Sequence, residues 1–143
     1  MQQQILRIID ANINRISEGL RVLEDISRFI IEDEDITRRL KTLRHQLNKL
    51  VAETGLHLLE TRDAVGDVGA DSDVIHDHMN LSSIVRANAK RAQEGIRVLE
   101  ELSKLPELKA VLSGAVLKES RYKIYSIEKI LITRLSDHHT KNK

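Results

Sequence analysis

Apolar residues recur at steps of three and four over most of the chain, which is the spacing of amphipathic helices. The first stripe predicts a helix over residues 4–31, and the second predicts a helix over 36–59 after the acidic run at 32–35. The first stripe consists of Ile5, Ile8, Ile9, Ile16, Leu20, Leu23, Ile26 and Ile30. The second consists of Ile36, Leu40, Leu43, Leu47, Leu50 and Val51.

The second half of the chain predicts two more helices. Asn80 is a typical N-cap residue and favours a helix over residues 81–104. Pro106 suits the first turn of a helix over residues 107–135. The pattern leaves open whether this last helix is continuous through Gly114.

The chain also contains an internal repeat. Residues 11–27 match residues 87–103 at an offset of 76, and ten of these seventeen positions are identical. A weaker match links Leu40-Lys41-x-x-Arg44-His45 with Leu117-Lys118-x-x-Arg121-Tyr122. We therefore predict an all-α fold, a four-helix bundle built from two repeated helical hairpins about a pseudo-two-fold axis.

This repeat divides the chain into segments. Residues 1–135 form a single helical domain, with repeat one at 4–59 and repeat two at 80–135. Residues 60–79, rich in Asp and Gly, are predicted to be the long loop between them. The polar residues 136–143 are predicted to be a disordered tail.

Composition narrows the classes of function. The 143 residues include 23 Lys and Arg, 22 Asp and Glu, and no Cys. The balanced charge gives no electrostatic footprint for nucleic acid, and the lack of Cys excludes disulfides and thiolate sites. No run approaches the ~20 apolar residues that span a bilayer, and residues 1–9 lack a signal-peptide pattern. We expect a cytoplasmic protein with no membrane or nucleic-acid partner.

The repeated motif places polar residues on and beside the apolar stripe. At about 100° per residue, Asn12 and Gly19 lie within the stripe, Arg15 and Glu18 on its flank, and Glu24 points away. In a structural interpretation, Asn12 and its copy Asn88 bond to each other, and Gly19 and Gly95 let the helices cross. In a functional interpretation, the arginines of the two repeats hold an anion, positioned by the glutamates. The residues of this functional set are Asn12, Arg15, Glu18, Asn88, Arg91 and Glu94.

Two further groups are candidates for phosphate chemistry. Arg44 and Arg121 are either satisfied side chains or phosphate ligands, with His45 as a proton relay or donor and Tyr122 as its counterpart. In the loop, Gly66 and Gly69 would let backbone N–H groups turn toward a phosphate, and Asp63 and Asp67 could hold Mg²⁺. Arg62 is the cation of the same loop. The alternative for this segment is a flexible connector.

Five motifs in fixed order carry a resemblance to a known family. They are D-A-N-x-N-R-x-x-E-G-L-R-V-L-E-D (10–25), L-K-x-L-R-H (40–45), R-D-x-x-G-D-V-G (62–69), R-A-N-x-x-R-x-x-E-G-x-R-V-L-E-E (86–101) and R-Y-x-x-Y-x-x-E (121–128). The chain resembles, over residues 7–130, the small helical domain found at the N-terminus of some bacterial thiamine phosphate synthases. That domain is described as a hydroxymethylpyrimidine phosphate kinase.

The resemblance implies an ATP-dependent phosphorylation of 4-amino-5-hydroxymethyl-2-methylpyrimidine phosphate to the pyrophosphate. It implies ATP as co-substrate, Mg²⁺ as metal, and thiamine phosphate synthase as a partner or fused domain. The motif positions coincide with the polar residues selected above, which favours the functional interpretation. From side-chain chemistry we assign phosphate binding to the four arginines and orientation of the pyrimidine or a phosphate to the asparagines. We expect the glutamates to orient the arginines rather than to act as bases.

Other interpretations remain open. A non-catalytic helical module would bind the phosphorylated pyrimidine or a synthase without releasing ADP. A bundle enzyme for another anion, with a chorismate-mutase-like fold, would also use buried arginines but would need no ATP. A homodimer is expected as well, with an apolar patch late in the second helix as its contact. The candidate patch is Leu50, Val51, Leu56, Leu58 and Leu59.

Overall fold

The computed structural model describes residues 2–56, 58, 66 and 80–141, and within these ranges every regular element is helical. Helix α1 (Gln3–Ile26) continues directly into a π-helical segment, Ser27–Ile31. Together they match the predicted first helix. The segment ends at Glu32, whose φ of 58° is left-handed. The prediction of an all-α fold is confirmed.

Helix α2 (Glu34–Ala52) begins with a side-chain cap and ends before the predicted boundary. The Asp33 carboxylate accepts a hydrogen bond of 2.9 Å from the Ile36 N–H, one of the donors that a helix start leaves unpaired. A turn over 53–55 then contains Gly55 at φ 72°, a conformation that a helix cannot include. Position 55 therefore follows the helix.

Helix α3 (Leu81–Leu102) has the predicted cap, because Asn80 Oδ1 accepts a 2.8 Å hydrogen bond from the Ser83 N–H. The helix predicted over 107–135, whose continuity through Gly114 the sequence left open, is interrupted before that residue. The structure divides this stretch into a four-residue helix, α4 (Pro106–Lys109), and a long helix, α5 (Gly114–Lys141).

The first residue of α5 explains this division. A Cβ built at Gly114 would lie 2.8 Å from Ser103 Oγ, so a larger residue at the turn would have to displace the Ser103 side chain. At its other end α5 continues through residues predicted to be a disordered tail, as far as Lys141. Adding residues to an existing helix is far easier than starting one, and the tail contains no Pro or Gly to stop it.

The long helices pack side by side in the order α2, α1, α3, α5, each antiparallel to the next. α1 packs against both α2 and α3, and α3 packs against α5, while α2 and α5 make only sparse contact. The four long helices thus correspond to the predicted hairpins. With α4 there are five α-helices in the described ranges, so the four-helix prediction holds for the long elements only.

The two hairpins are related by a pseudo-two-fold axis perpendicular to α1 and α3. Since α2 and α3 both run antiparallel to α1, they are parallel to each other. The end of α2 and the start of α3 therefore lie at opposite ends of the assembly, and the chain between Leu56 and Asn80 joins these ends.

One apolar core fills the space between the long helices. Its fully buried side chains come from all four of them and from α4, and include Ile16, Leu23, Leu40, Leu99, Leu108 and Ile124. Part of the predicted dimer patch belongs to this core: Val51 is buried, and Leu50, Leu56 and Leu58 pack against it, while Leu59 lies outside the described residues. These side chains are not an open contact surface.

None of the helices in the described ranges is long and apolar enough to cross a membrane.

Candidate functional site

The centre of the molecule is a close crossing of α1 and α3 at two repeat-equivalent glycines. A Cβ built at Gly19 would lie 2.7 Å from the Asn88 backbone oxygen, and one at Gly95 would lie 3.2 Å from that of Asn12. Real Cβ atoms do not approach a backbone oxygen as closely as the first distance. The expectation that these glycines let the helices cross is therefore confirmed.

Beside this crossing, both repeats present an arginine and a glutamate to solvent. The Arg91 guanidinium lies 3.3 Å from the Glu18 carboxylate, so the two helices are joined by an ion pair. Arg15 donates a weak hydrogen bond of 3.4 Å to Asn12 Oδ1. Glu94 lies 3.8 Å from Lys90 on its own helix. We name the surface formed by Arg15, Glu18, Arg91 and Glu94, with Asn12 and Asn88 at its base, the repeat face.

The repeat face keeps its exposed charged residues in both repeats, as does the exposed pair Arg21/Arg97 outside it. The exposed pairs Arg15/Arg91 and Glu18/Glu94 are identical, whereas several buried positions beside them differ. The differing buried pairs are Ile13/Ala89, Ile16/Ala92 and Leu20/Ile96. Packing constrains buried residues and leaves exposed ones free to vary. Identity at the exposed positions therefore indicates a role other than folding.

The two asparagines do not bond to each other. Asn12 Nδ2 donates to the Ile8 carbonyl oxygen at 2.8 Å, and Asn88 Nδ2 donates to the Ile84 carbonyl oxygen at 2.9 Å. The structural interpretation of a cross-bonded pair was thus wrong in this respect. Each amide is satisfied within its own helix, and in Asn12 the side-chain oxygen stays available to position Arg15.

Arg44 and Arg121 take part in two buried ion pairs at repeat-equivalent positions. Arg44 donates to both carboxylate oxygens of Glu24, at 2.6 and 3.2 Å, and Arg121 donates to those of Glu100, at 2.7 and 3.3 Å. The hydrogen bond with Glu24 raises the pKa of Arg44, and those with Glu100 and Tyr125 raise the pKa of Arg121. Arg44 therefore holds α1 to α2, and Arg121 holds α3 to α5. Their predicted phosphate role stays a prediction.

These ion pairs lie away from the repeat face. Glu24 follows Arg15 by nine residues, which is about 180° around the helix at 100° per residue, and Glu100 follows Arg91 by the same interval. The expectation that Glu24 points away from the buried surface was wrong, because it considered one apolar stripe only. α1 packs against two helices, and the side facing α2 is buried as well.

The remaining predicted residues of the described helices are exposed. His45 lies on α2 and Tyr122 on α5, and both helices pack on the far side of α1 and α3 from the repeat face. The Tyr122 ring lies 5.1 Å from the Arg121 guanidinium carbon and 5.8 Å from the Tyr125 ring. The structure does not bring His45 or Tyr122 to Arg15 and Arg91.

The predicted loop site cannot be placed on this geometry. Arg62, Asp63, Asp67 and Gly69 lie outside the described residues, and Gly66 is described and exposed. In the part of the chain that the structure covers, no three His, Asp or Glu side chains come close enough to hold a metal ion.

Sequence reasoning missed several buried polar groups, among them two glutamates and a glutamine that make contacts between helices. Glu24 and Glu100 are the acceptors of the buried ion pairs, and Gln93 Nε2 donates to Glu128 of α5 at 3.0 Å. The signal for the glutamates was present, since both belong to the repeated motif and both arginine partners recur at an offset of 77. For Gln93, which stands where repeat one has Ser17, the repeat gives no signal.

Comparisons with known proteins agree with the resemblance. Residues 7–130 match the ThiD2 family model. Proteins named thiamine-phosphate synthase are 38% identical over 85% of the chain in Rhodopirellula baltica and 35% over 90% in Nostoc sp.. One from Parasynechococcus marenigrum is 34% identical over the whole chain. The aligned parts are 32%, 35% and 40% of these relatives, so the chain spans little more than a third of their length.

No solved structure matches the chain. The family match covers most of the 143 residues and includes both copies of the repeat face. The chain therefore belongs to the ThiD2 family.

Proposed function

We propose that this chain is a kinase that phosphorylates 4-amino-5-hydroxymethyl-2-methylpyrimidine phosphate to the pyrophosphate, a step of thiamine biosynthesis. The observation that carries the proposal is the repeat face, where both repeats retain an exposed arginine and glutamate while buried neighbours differ. Membership of the ThiD2 family supports it, as do relatives named thiamine-phosphate synthase. The proposed location of the protein is the cytoplasm.

The reaction joins two phosphate compounds. An oxygen of the substrate phosphate attacks the γ-phosphorus of ATP and forms a new P–O bond. The bond from that phosphorus to the β–γ bridging oxygen breaks, and ADP leaves with its electron pair. Both reactants are anions, so catalysis depends on positioning and on neutralising charge as the phosphates approach.

The repeat face supplies two cations for this purpose. Arg15 and Arg91 are both exposed, and each has only weak or solvent-exposed contacts that an incoming phosphate can replace. The planar guanidinium can donate two hydrogen bonds to one phosphate. We assign one arginine to the phosphate of the pyrimidine and the other to the phosphates of ATP.

The neighbouring residues would position these arginines. Asn12 is held by the Ile8 carbonyl and presents its side-chain oxygen to the Arg15 guanidinium at 3.4 Å, so it favours one direction of that group. Glu18 holds Arg91 across the crossing. Glu18 therefore acts as a positioning residue, whereas Glu94 pairs with Lys90 in this structure. Mg²⁺, if held by Asp63 and Asp67, would supply further charge neutralisation when bound.

An ADP-release assay with Mg·ATP and the pyrimidine phosphate tests the proposal. We expect turnover with the phosphate and none with the unphosphorylated alcohol. Arg15→Ala and Arg91→Ala should each lower turnover at least ~100-fold, with unchanged helical content by circular dichroism. Arg86→Ala is the matched control, because Arg86 is an exposed arginine of α3 that stands where repeat one has Asp10, so the repeat does not retain it. Full turnover in Arg15→Ala and Arg91→Ala would contradict the assignment.

A second candidate is a non-catalytic module that accompanies thiamine-phosphate synthase. The length comparison favours it, since the chain corresponds to about a third of each relative. Binding of the pyrimidine phosphate without ADP release, in a protein of unchanged helicity, would support this candidate. A fused synthase domain, a separate synthase partner and a homodimer are further proposals. Size-exclusion chromatography with light scattering tests the last two, because it measures the mass of the particle in solution.

A further inference from the structure

The sparse contact between α2 and α5 leaves a groove with two halves. One half has a volume of about 340 Å³ and the other of about 260 Å³, and Gln46 and Lys123 line both. These two residues are 77 positions apart, the offset that also relates Arg44 to Arg121. The pseudo-two-fold axis thus passes between Gln46 and Lys123, and the two halves are equivalent by the repeat.

The equivalent halves differ in charge. The larger half contains the carboxylates of Glu53 and Glu119, which balance the charges of Lys49 and Lys123. The smaller half contains Arg38, Arg39 and Lys123, and none of the described residues that line it is acidic. We name this smaller half the basic groove.

The difference between the halves arises from single positions. Arg39 stands where the larger half has Val116, and Thr42 stands where it has Glu119. The backbone framework is shared by the repeat. The positive charge is therefore a property that the sequence adds to one copy only.

The cations of the basic groove are held by weak contacts. Arg38 and Arg39 share the exposed Asp35, at 2.9 and 3.8 Å, and Lys123 lies 3.4 Å from Glu119. Ion pairs this exposed contribute at most about 1 kcal/mol, so an anion with several oxygens can displace them. Two guanidinium groups and one ammonium group match the charge of a pyrophosphate group.

The floor of the groove is apolar. Leu43 and Ile127 lie at its base, while Thr42 and Gln46 place a hydroxyl and an amide beside the cations. We infer that the basic groove binds a small phosphate or pyrophosphate compound, with its charged end at Arg38, Arg39 and Lys123. The organic part of such a compound would lie over Leu43 and Ile127.

This site is separate from the repeat face. α2 and α5 pack on the side of α1 and α3 opposite to Arg15 and Arg91, so one ligand cannot reach both places. The inference does not depend on the proposed kinase activity.

Titration of the 143-residue chain with inorganic pyrophosphate tests the inference, using calorimetry and amide NMR shifts. We expect binding with shifts centred on Thr42 and Gln46. Arg39→Gln and Lys123→Gln should each weaken it at least ~10-fold, which is the loss of about one charge-assisted contact. Lys49→Gln is the matched control, since Lys49 lines the other half and pairs with Glu53 at 3.7 Å.

Three outcomes would overturn the inference. Affinity unchanged in both Arg39→Gln and Lys123→Gln would remove the groove as the site. An equal loss in Lys49→Gln would show attraction to general positive charge. Binding that is lost only in the Arg15→Ala/Arg91→Ala double variant would assign pyrophosphate to the repeat face. Thermal unfolding of each variant distinguishes loss of binding from loss of fold.

Discussion

Gly19 of α1 lies directly against the backbone of Asn88 in α3, at a distance that excludes any side chain. A Cβ at Gly19 would be 2.7 Å from the Asn88 carbonyl oxygen. The equivalent contact, from Gly95 to the Asn12 carbonyl, is looser at 3.2 Å. The closeness of this crossing sets the separation of α1 and α3, and with it the spacing of Arg15 and Arg91 on the repeat face.

Gly19→Ala should lower the free energy of unfolding, by about 2 kcal/mol or more, because backbone cannot move aside as a flexible side chain can. The substitution would otherwise stabilise a helix by up to about 1 kcal/mol. Urea denaturation shows whether the free energy of unfolding falls or rises in Gly19→Ala. A more stable Gly19→Ala protein would show that the crossing has space to spare.

Gly95→Ala is the internal comparison for this effect. Its Cβ would meet Cγ1 of the buried Ile16 side chain at 2.8 Å, but its nearest backbone contact, the Asn12 carbonyl, is a less severe 3.2 Å. We expect a smaller loss than at Gly19, again from urea denaturation. An equal or larger loss would contradict the assignment of the tighter contact to Gly19.

Arg44→Met should destabilise the fold by about 3 kcal/mol, because it leaves the Glu24 carboxylate buried without its partner. Arg121→Met should do the same through Glu100. Arg38→Met is the control for charge removal, since its pair with Asp35 is exposed, and it should change stability by less than about 0.5 kcal/mol.

The stability loss in Arg44→Met has two possible causes, an unpaired buried carboxylate and the lost packing of the arginine stem. A double substitution distinguishes them. If an unpaired buried carboxylate is the cause, Glu24→Gln/Arg44→Met should regain part of the stability that Arg44→Met loses. Equal stabilities of the single and double variants would point instead to lost packing of the arginine stem. Denaturant unfolding of the four proteins of the cycle provides the measurement.

The Asp33 cap should make stability depend on pH. The hydrogen bond from the Ile36 N–H, with the Arg134 contact at 2.6 Å, lowers the pKa of Asp33. A carboxylate with a lowered pKa stabilises the fold above its unfolded pKa of about 4, and this contribution is lost as pH falls through the folded pKa. Asp33→Asn keeps the cap acceptor and removes the charge.

We therefore expect wild type to exceed Asp33→Asn in stability by up to about 1 kcal/mol at pH 7. The difference should shrink below pH 4. Thermal unfolding across pH 2–7 tests this, and a difference that stays constant over the range would be evidence against it.

Thr37 joins the π-helical segment to the start of α2. Its hydroxyl donates to the Asp33 carbonyl oxygen at 2.6 Å and lies 2.9 Å from the buried Ser27 Oγ. Thr37→Val removes one donor to the Asp33 carbonyl oxygen, which still accepts from the Thr37 N–H and from Ser27 Oγ, so we expect a loss of about 1 kcal/mol. Thr37→Ser should lose less. Similar losses for both variants in denaturant unfolding would assign the effect to the methyl group.

The sequence was sufficient for the helices and for the crossing. The spacing of apolar residues predicted α1, α3 and the capping by Asn80, and the repeat predicted that Gly19 and Gly95 lie at equivalent contacts. These features are local or follow from one helix pair. The break before Gly114 depends on the approach of Ser103 from another helix, which periodicity does not contain.

The candidate site was predicted in part for the same reason. Arg15 and Arg91 share an exposed face as the helical period requires, since they are equivalent positions of two crossing helices. Arg44 and Arg121 looked alike in the sequence but face Glu24 and Glu100. A helical wheel shows only which residues share a side of one helix. The role of those residues depends on which neighbouring helix packs against that side.

The perpendicular pseudo-two-fold axis has a consequence for how such a chain can arise. Neither hairpin covers its own apolar surface, so a single-hairpin ancestor would have been stable only as a pair of identical subunits. Covalent linkage of the two subunits removes the need for identical sequences. Each copy can then change alone, and the contrast between Arg39 and Val116 on opposite halves of one groove is the kind of asymmetry that an identical pair could never have carried.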